Sequence, residues 1–458
     1  MSYIKSYGIA LPYYRVDDTT LHPKGRKNNS RTICYTDEDI ITLAYEAAKE
    51  CLTKCTDEID ALFFATSNPV FHNRYHASFL ADLLGIPVSL FCLDFMNTTK
   101  SGTDALLMAN DLVNAGKYKN ILVVTSDVDF PGIGEELFSN IGHASCALLI
   151  NNKKGIAEIK KAFTVNSFLA EEFTYKNNFI RLDSRFSREE GFKKNMLTVA
   201  NVIKDLQSSS DKIILNSLYS KLAGPVFIKS GFSDNQFSRD SISQKTGNTG
   251  ATHALLLLLN EIENGSKNNL LIDYANGSNV LQIQLNENIE CKFIQSKLSG
   301  FHLVNSYQDY LLLRKEGNFN SLKYKTREMF SSEMMNEREK ESFLHLKGMK
   351  CDKCGTSYYI KIARCKKCKG EKFKTIKLSD KGKVYSFTSE HYFPVSFPPV
   401  TMLVIDLEGG GRVTVQQTNT MYPDMNSIQI GSEVKLVLRK MIEHDQKPNY
   451  FFKAIAVS

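Results

Sequence analysis

Cys351-Asp-Lys-Cys354 is followed ten residues later by Cys365-Lys-Lys-Cys368. Two Cys-x-x-Cys knuckles at this spacing can place four thiolates around one tetrahedral ion. Four ligands close the coordination shell and leave no position for a substrate. The predicted metal is therefore a structural zinc held by Cys351, Cys354, Cys365 and Cys368. Gly355 and Gly370, just past the two knuckles, suit the tight turns this needs. The other cysteines are unclustered except Cys51 and Cys55, whose spacing reads as helix packing; Cys34, Cys92, Cys146 and Cys291 stand alone.

The charge distribution singles out the same region. Residues 343–378 hold eleven Lys and Arg against two acids, +9 of a net +7, which leaves −2 for the rest of the chain. A Zn(Cys)4 centre carries a formal −2, so some of these lysines offset it. The remainder would suit an anion: the phosphates of coenzyme A, an acidic carrier protein, or nucleic acid. At 458 residues, with 42% hydrophobic and 23% charged residues, this is a globular chain of several domains, not a disordered or fibrous one. No apolar run is long enough to span a membrane, and MSYIKSYGIALPYYRV lacks the apolar core of a secretory signal, so the expected location is the cytoplasm.

From about residue 3 to 290 strand-like apolar runs alternate with amphipathic helices. IDALFFAT (59–66), KNILVVTS (119–126), CALLIN (146–151), KIILNS (212–217) and NLLIDYA (269–275) read as buried strands. DEDIITLAYEAAKECL (37–52) and GTDALLMANDLVNAG (102–116) read as helices. This alternation predicts an α/β fold with a mainly parallel sheet. Residues 306–342 turn polar and helix-prone and read as a linker. Short strand runs after the lysine-rich ribbon, with Gly409–Gly411 as a turn, predict a small barrel.

The C-terminal run LKGMKCDKCGTSYYIKIARCKKC, then GKVYSFT, Pro394, Pro398, Pro399, Asp406-Leu407-Glu408 and IGSEVKLVLR, resembles the zinc-ribbon and OB-fold module that accompanies thiolase-like proteins. The N-terminal part resembles the thiolase superfamily on its ketoacyl synthase III and hydroxymethylglutaryl-CoA synthase branch. The matching segments are IKSYGIALPYYRV, LDFMNTTKSGTDAL (93–106), IGHASCALLI (141–150), GNTGATHALLL (247–257) and DYANGSNV (273–280), in the expected order. The resemblance implies two similar α/β halves in five layers, αβαβα, followed by ribbon and barrel. The expected divisions are 1–160 and 161–300 for the halves, 301–342 for the linker, 343–378 for the ribbon and 379–458 for the OB-fold.

Members of that superfamily accept an acyl group on a cysteine at a helix N-terminus, with His and Asn, or His and Glu, handling the second substrate. Here the cysteine position, five residues after Asp94, holds Thr99, with Thr98 beside it. The histidine position in LNSLYSKLAGPVF (215–227) holds Asn216, and the synthase glutamate is replaced by Ser67. Asn248 alone is retained. A threonine hydroxyl needs an adjacent base to attack a thioester, and Asn216 cannot supply one. Thr99 is thus expected as an N-terminal helix residue in a relic pocket. Cys92 reads as a core thiol, His143 and His253 as structural, and Arg181, Arg185 and Arg188 as a solvated face.

The resemblance extends to acyl-transfer complexes of the phloroglucinol-acetylating kind, which join a cysteine-bearing thiolase-fold subunit, a cysteine-less one and a zinc-ribbon/OB subunit. This chain is similar to a fusion of the last two. The implied function is support of acyl transfer or condensation on acyl-CoA or acyl-carrier thioesters, beside a cysteine-bearing paralogue or as a homodimer. Two alternatives stand beside it: a self-sufficient acyltransferase without an acyl-cysteine, and nucleic-acid binding through the basic OB module.

Overall fold

The computed structural model describes residues 1–131, 140–287, 289, 292–314, 333–422, 427–442 and 448–457, apart from residues 23, 54, 56, 88, 177 and 394. Cys291, Pro394 and the 315–332 part of the predicted linker lie outside the described residues. The chain divides into two compact units. The first is 1–33, 43–82 and 86–305; the second is 34–42, 83–85 and 306–458.

In the first unit, β1 (Ser2–Ala10), β2 (Ala61–Ala65), β3 (Phe91–Phe95), β4 (Asn120–Asp127) and β5 (Ala144–Asn151) make one half. The other half is β6 (Ala157–Asn166), β7 (Lys212–Asn216), β8 (Asn268–Tyr274) and β9 (Gly277–Leu285). The first half runs β3-β2-β4-β5-β1. In it β2 is parallel to β3 and β4, while β5 is antiparallel to β4 and β1. The second half runs β7-β8-β9-β6, with β7 parallel to β8 and β9 antiparallel to both β8 and β6. A parallel bridge from Ile213 to Phe237 puts residue 237 where β3 stands in the first half. Order and direction are therefore the same in both halves, which meet where Ser2–Ile4 of β1 pairs with β6.

The expectation of a mainly parallel sheet is corrected: five of the eight strand neighbours are antiparallel. Continuous apolar runs report burial on both faces, and β5, buried at every position, reads the same whichever way it runs.

Two helices occupy equivalent places in the halves: α1 (Ser101–Asn114) between β3 and β4, and α2 (His253–Glu263) between Phe237 and β8. In α2 every residue but Glu261 is buried, as HALLLLLNEIE requires of a helix apolar on nearly all sides. Leu255, Leu258 and Leu259 share one core with Ala105, Leu106 and Ala109 of α1 and with Val123 and Leu148 from the strands. Removing one such leucine side chain costs about 2–5 kcal/mol.

In the second unit the ribbon is three short antiparallel strands, β10 (Lys347–Cys351), β11 (Ser357–Tyr358) and β12 (Phe373–Lys377). The barrel has β13 (Lys381–Glu390), β14 (Val400–Leu407), β15 (Arg412–Gln416), β16 (Glu433–Ile442) and β17 (Pro448–Ala456), ordered β15-β14-β13-β16-β17. A bridge from Gln417 to Ala454 brings the first strand of that order back to the last. Leu403, Ile405, Val413, Leu436 and Leu438 fill the interior. Among the described residues no helix is long and apolar enough to cross a membrane.

Candidate functional site

Strand β3 ends at Phe95, and the chain turns through Asn97, whose φ of +89° asparagine tolerates better than bulkier residues. Helix α1 starts at Ser101 with Lys100 as its N-cap residue, and Ser101 Oγ donates to Thr98 O at 2.7 Å. Thr99 therefore lies in the turn before the helix and not in its first turn, a correction to the sequence expectation. Asp94, five residues earlier, is committed elsewhere. Its carboxylate accepts from His76 N (2.7 Å) and Ala77 N (2.9 Å) and meets His76 Nδ1 at 2.8 Å. Phe71 N donates to His76 Nε2 at 3.2 Å, so the ring proton sits on Nδ1 and points at Asp94.

Thr98 and Thr99 open onto a cavity of about 270 Å³ that is also lined by Ser67, Asn216 and Asn248. The structure thus gathers residues far apart in sequence. Asn216, at the end of β7 and 8% exposed, donates from Nδ2 to Asp273 Oδ1 at 2.8 Å. Asp273 Oδ2 accepts from Thr103 Oγ1 of α1 at 2.7 Å. Burial pushes the Asp273 carboxyl up to about 6, against the opposing pull of these two donors. Asn248 accepts from Gly250 N at 3.0 Å through Oδ1, leaving its amide nitrogen as the group it can offer the cavity.

Ser67 donates from Oγ (2.7 Å) to Asp127 Oδ2, which also accepts from Ala251 N (2.7 Å), while Thr66 Oγ1 reaches Asp127 Oδ1 at 3.0 Å. Asp127 is pushed above its ordinary range by burial, which these donors partly offset. Gly250 is required beside it: at φ +56°, a Cβ there would stand 2.1 Å from Asp127 Oδ2.

Asp129, Glu171 and Glu172 complete an acidic lining, and the described lining residues include no Lys, Arg or His. Glu171 accepts from Tyr274 Oη, and Glu172 pairs with Arg181 at 2.7 Å. Burial raises both carboxyls. Nothing in the linear pattern groups these four acids, because they come as two pairs, Asp127 with Asp129 and Glu171 with Glu172, from segments some forty residues apart. The one available signal was that each interrupts or closes an apolar run.

An open groove shares Asn140, Asn216, Ser217, Leu218 and Asn248 with this cavity. Its walls carry Arg26, Arg31, Lys212, Lys221 and Arg239 against Asp234, Asp240 and Glu261. Cation excess outside therefore passes to carboxylates within.

The remaining candidates fall outside the cavity lining. His143 Nε2 meets Asp129 O at 2.8 Å, and His253 lies between Thr249 Oγ1 (3.2 Å) and Asp240 Oδ2 (3.1 Å); both are buried and satisfied. Arg188 donates to Ser184 O, and Arg185 is exposed beside it. Cys92 is half-buried on β3, and burial pushes its thiol up to about 11. Cys51 packs in the helix Ile40–Thr53 against Ser6, but Cys55 lies beyond the helix end and donates to Asp57, so the pair is not a helix-packing pair.

In the ribbon the four cysteine sulfurs all lie within 4.8 Å of one another, with Cys351–Cys368 and Cys354–Cys365 at 3.5 Å. A tetrahedron with Zn–S of about 2.3 Å has sulfurs roughly 3.8 Å apart, so the set fits one zinc ion. The first knuckle turns on Gly355 (φ +72°); in the second the left-handed residue is Lys369 (φ +61°), not Gly370. Tyr358 Oη lies 3.2 Å from Cys365 Sγ and accepts from Lys366 N, bracing the second knuckle.

Comparison with known proteins matches the ribbon and the barrel separately. Residues 344–374 match the family described as ChsH2, rubredoxin-like zinc ribbon domain, and residues 375–439 match ChsH2, C-terminal OB-fold domain. A DUF35 domain-containing scaffold protein from Methanocaldococcus jannaschii is 37% identical over 100 residues, 21% of this chain and 69% of that protein. The chain belongs to the DUF35-domain family.

In this DUF35-family chain the module is fused to a thiolase-like domain. A hydroxymethylglutaryl-CoA synthase from Methanosphaera stadtmanae is 24% identical over 316 residues, covering 63% of this chain and 90% of that protein. The HMG-CoA synthase PksG from Bacillus subtilis superposes with a TM-score of 0.59 at 14% identity, over 73% of this chain and 92% of its own. The 3-oxoacyl-[acyl-carrier-protein] synthase III from Aquifex aeolicus gives 0.53 at 17%, over 62% and 100%. The thiolase-like fold, the ribbon and the OB barrel expected from the sequence are all present.

Proposed function

We propose that this chain is a thiolase-fold component of an acyl-transfer or condensing system that acts on coenzyme A or carrier-protein thioesters, and that it supports a cysteine-bearing thiolase-fold partner. The observation that carries this reading is the cavity itself. Thr99, Asn216 and Ser67 meet at one cavity, yet Asn216 donates into Asp273 and Ser67 donates into Asp127. Neither an amide nor a hydroxyl is a base for the Thr99 hydroxyl, and among the described residues none of the lining carboxylates is hydrogen-bonded to it. The fold and the concavity are kept while the acyl-accepting chemistry is not.

The groove supports a thioester ligand: cations such as Arg26, Lys212 and Lys221 suit the phosphates of coenzyme A, and the amides of Asn140, Asn216 and Asn248 suit a pantetheine chain leading inward. The relatives named as hydroxymethylglutaryl-CoA synthases and as a scaffold protein support a place in such a system. The ribbon would hold one zinc through Cys351, Cys354, Cys365 and Cys368, in a structural role because no coordination position is left open.

The test is co-expression of this chain with cysteine-bearing thiolase-fold paralogues from the same genome, followed by size-exclusion chromatography. A stable complex that condenses acyl-CoA, inactive without either chain, is the expected result. A homodimer of this chain alone that transfers acyl groups at an ordinary enzymatic rate would overturn the supporting role.

A further inference from the structure

We infer that the inner cavity selects thioesters by charge: it accepts acyl groups that are neutral or end in a hydrogen-bond donor, and rejects acyl groups that carry a carboxylate. This rests on the proposed thioester reading and goes beyond it by naming the acyl class.

Two independent observations carry it. The first is the lining: Asp127, Asp129, Glu171 and Glu172 face a space of about 270 Å³ whose described lining has no cationic side chain. Arg181 offsets Glu172, and the described lining itself holds no Lys, Arg or His to meet a guest carboxylate. A guest carboxylate placed here would add a further like charge to a partly dehydrated site, which costs several kcal/mol where like charges meet. Burial already raises Asp127, Glu171 and Glu172, so the site resists the charge it has.

The second observation is the orientation of Asn216. The residue is 8% exposed, and its Nδ2 is held by Asp273 at 2.8 Å. The polar atom it offers the cavity is therefore the carbonyl Oδ1, an acceptor. An acceptor beside carboxylates recognises a hydroxyl or amine, and the donors that also reach the cavity, such as the Asn248 amide nitrogen, are neutral and do not offset the acids. The groove outside has the opposite charge balance, so a single ligand with an anionic end and a non-anionic end fits the whole site in one orientation.

The experiment is isothermal titration calorimetry on the zinc-loaded full chain at pH 7.5 with coenzyme A, butyryl-CoA, 3-hydroxybutyryl-CoA and succinyl-CoA. All four share the same nucleotide end, so contributions of the groove cancel in the ratios. Butyryl-CoA and 3-hydroxybutyryl-CoA are expected to bind at least about tenfold more tightly than succinyl-CoA, the hydroxylated one at least as tightly as butyryl-CoA. The double variant Asp129→Asn/Glu172→Gln is expected to narrow the butyryl-to-succinyl ratio to about threefold or less, with affinity for coenzyme A itself kept within about twofold. Should loss of the Arg181 pair prevent that variant from folding, Asp129→Asn alone carries the comparison and must narrow the ratio. Succinyl-CoA binding as tightly as butyryl-CoA, or a ratio unmoved in the folded variant, overturns the inference and leaves the thioester reading standing. Failure of coenzyme A and every acyl-CoA to bind removes the thioester reading itself.

Discussion

Lys453 Nζ stands 2.8 Å from Asp37 Oδ2, joining residues 416 apart in the chain in a place where both are buried. Around them Glu38 pairs with Arg439 at 3.0 Å, Tyr450 donates to Asp39 at 2.8 Å and Thr418 donates to Asp37 at 2.8 Å. Burial alone would raise the Asp37 carboxyl; Lys453 and Arg439 outweigh it and hold it below its ordinary range. Residues 34–42 are thus part of the barrel-containing unit, although they precede it by some three hundred residues.

Breaking one partner of a buried charge pair is far more damaging than its net worth, since the other is left unmatched. Asp37→Ala should therefore lower stability by about 3–5 kcal/mol. Chemical denaturation followed by circular dichroism measures this, and a loss under about 1 kcal/mol would show that the cluster is solvated or dispensable.

Zinc should be found at one equivalent per chain by elemental analysis. Removing it with a chelator, or replacing Cys351 with Ser, should unfold the ribbon first, because the metal supplies much of the folding energy of such a module. Near-unit zinc content in the Cys351→Ser protein, with unchanged melting, would place the metal elsewhere.

The ribbon and the two halves could be read from the sequence for different reasons. Cys351, Cys354, Cys365 and Cys368 announce themselves by spacing, since their chemistry is local to two knuckles. Thr99, Asn216 and Asn248 could be located only by resemblance, and the structure does bring them to one cavity. What stayed hidden is non-local. Strand direction is invisible in a run such as ASCALLIN that is buried on both faces. The acids of the cavity come from the end of β4 and the loop after it, and from the start of the strand Glu172–Tyr175, and nothing in a linear pattern brings Asp127 near Glu171. The Asp37–Asp39 run looked like a helix start, and in part it is one, with Asp39 Oδ1 capping Ile41 N and Thr42 N at 3.0 Å. Its second role, against Lys453 and Arg439, needs the fold.

Asp273 gives a pH prediction. Its folded pKa is raised by burial to about 6, so between roughly pH 4 and 6 the native state holds a proton that the unfolded chain has released. Stability should fall as pH rises through that window and remain lower above it, by roughly 3 kcal/mol. Asp273→Asn should remove this component and be the more stable protein at pH 7.5. The amide fits the same contacts: its oxygen can accept from Asn216, and its nitrogen can donate to Thr103 Oγ1, whose own hydrogen has Lys100 O at 2.9 Å as acceptor. Melting temperatures of both proteins from pH 4.5 to 7.5 test it, and parallel curves would rule it out.

The last prediction concerns Thr99. Were it an acyl acceptor, incubation with acetyl-CoA would leave an ester on the peptide containing residues 93–106, seen as a mass shift that Thr99→Ala abolishes. No such adduct is expected. An alcohol needs a base within hydrogen-bond reach; Asn216 and Ser67 are not bases, and among the described residues Thr99 Oγ1 makes no hydrogen bond to any of the four lining carboxylates. Thr99→Ala should leave the activity of the complex within about tenfold, less than roughly 1.4 kcal/mol in barrier. Thr99→Cys alone should acylate slowly: residue 99 precedes the N-cap residue Lys100, so the dipole of α1 gives its thiol some help, but no imidazole stands beside it and four acids line the cavity. Adding Asn216→His should accelerate that acylation well beyond the single variant, because position 216 is the one the family resemblance assigns to the histidine and it lines the same cavity as residue 99. A stoichiometric ester on wild-type Thr99 would reverse the assignment and make this chain the acyl carrier of its own reaction.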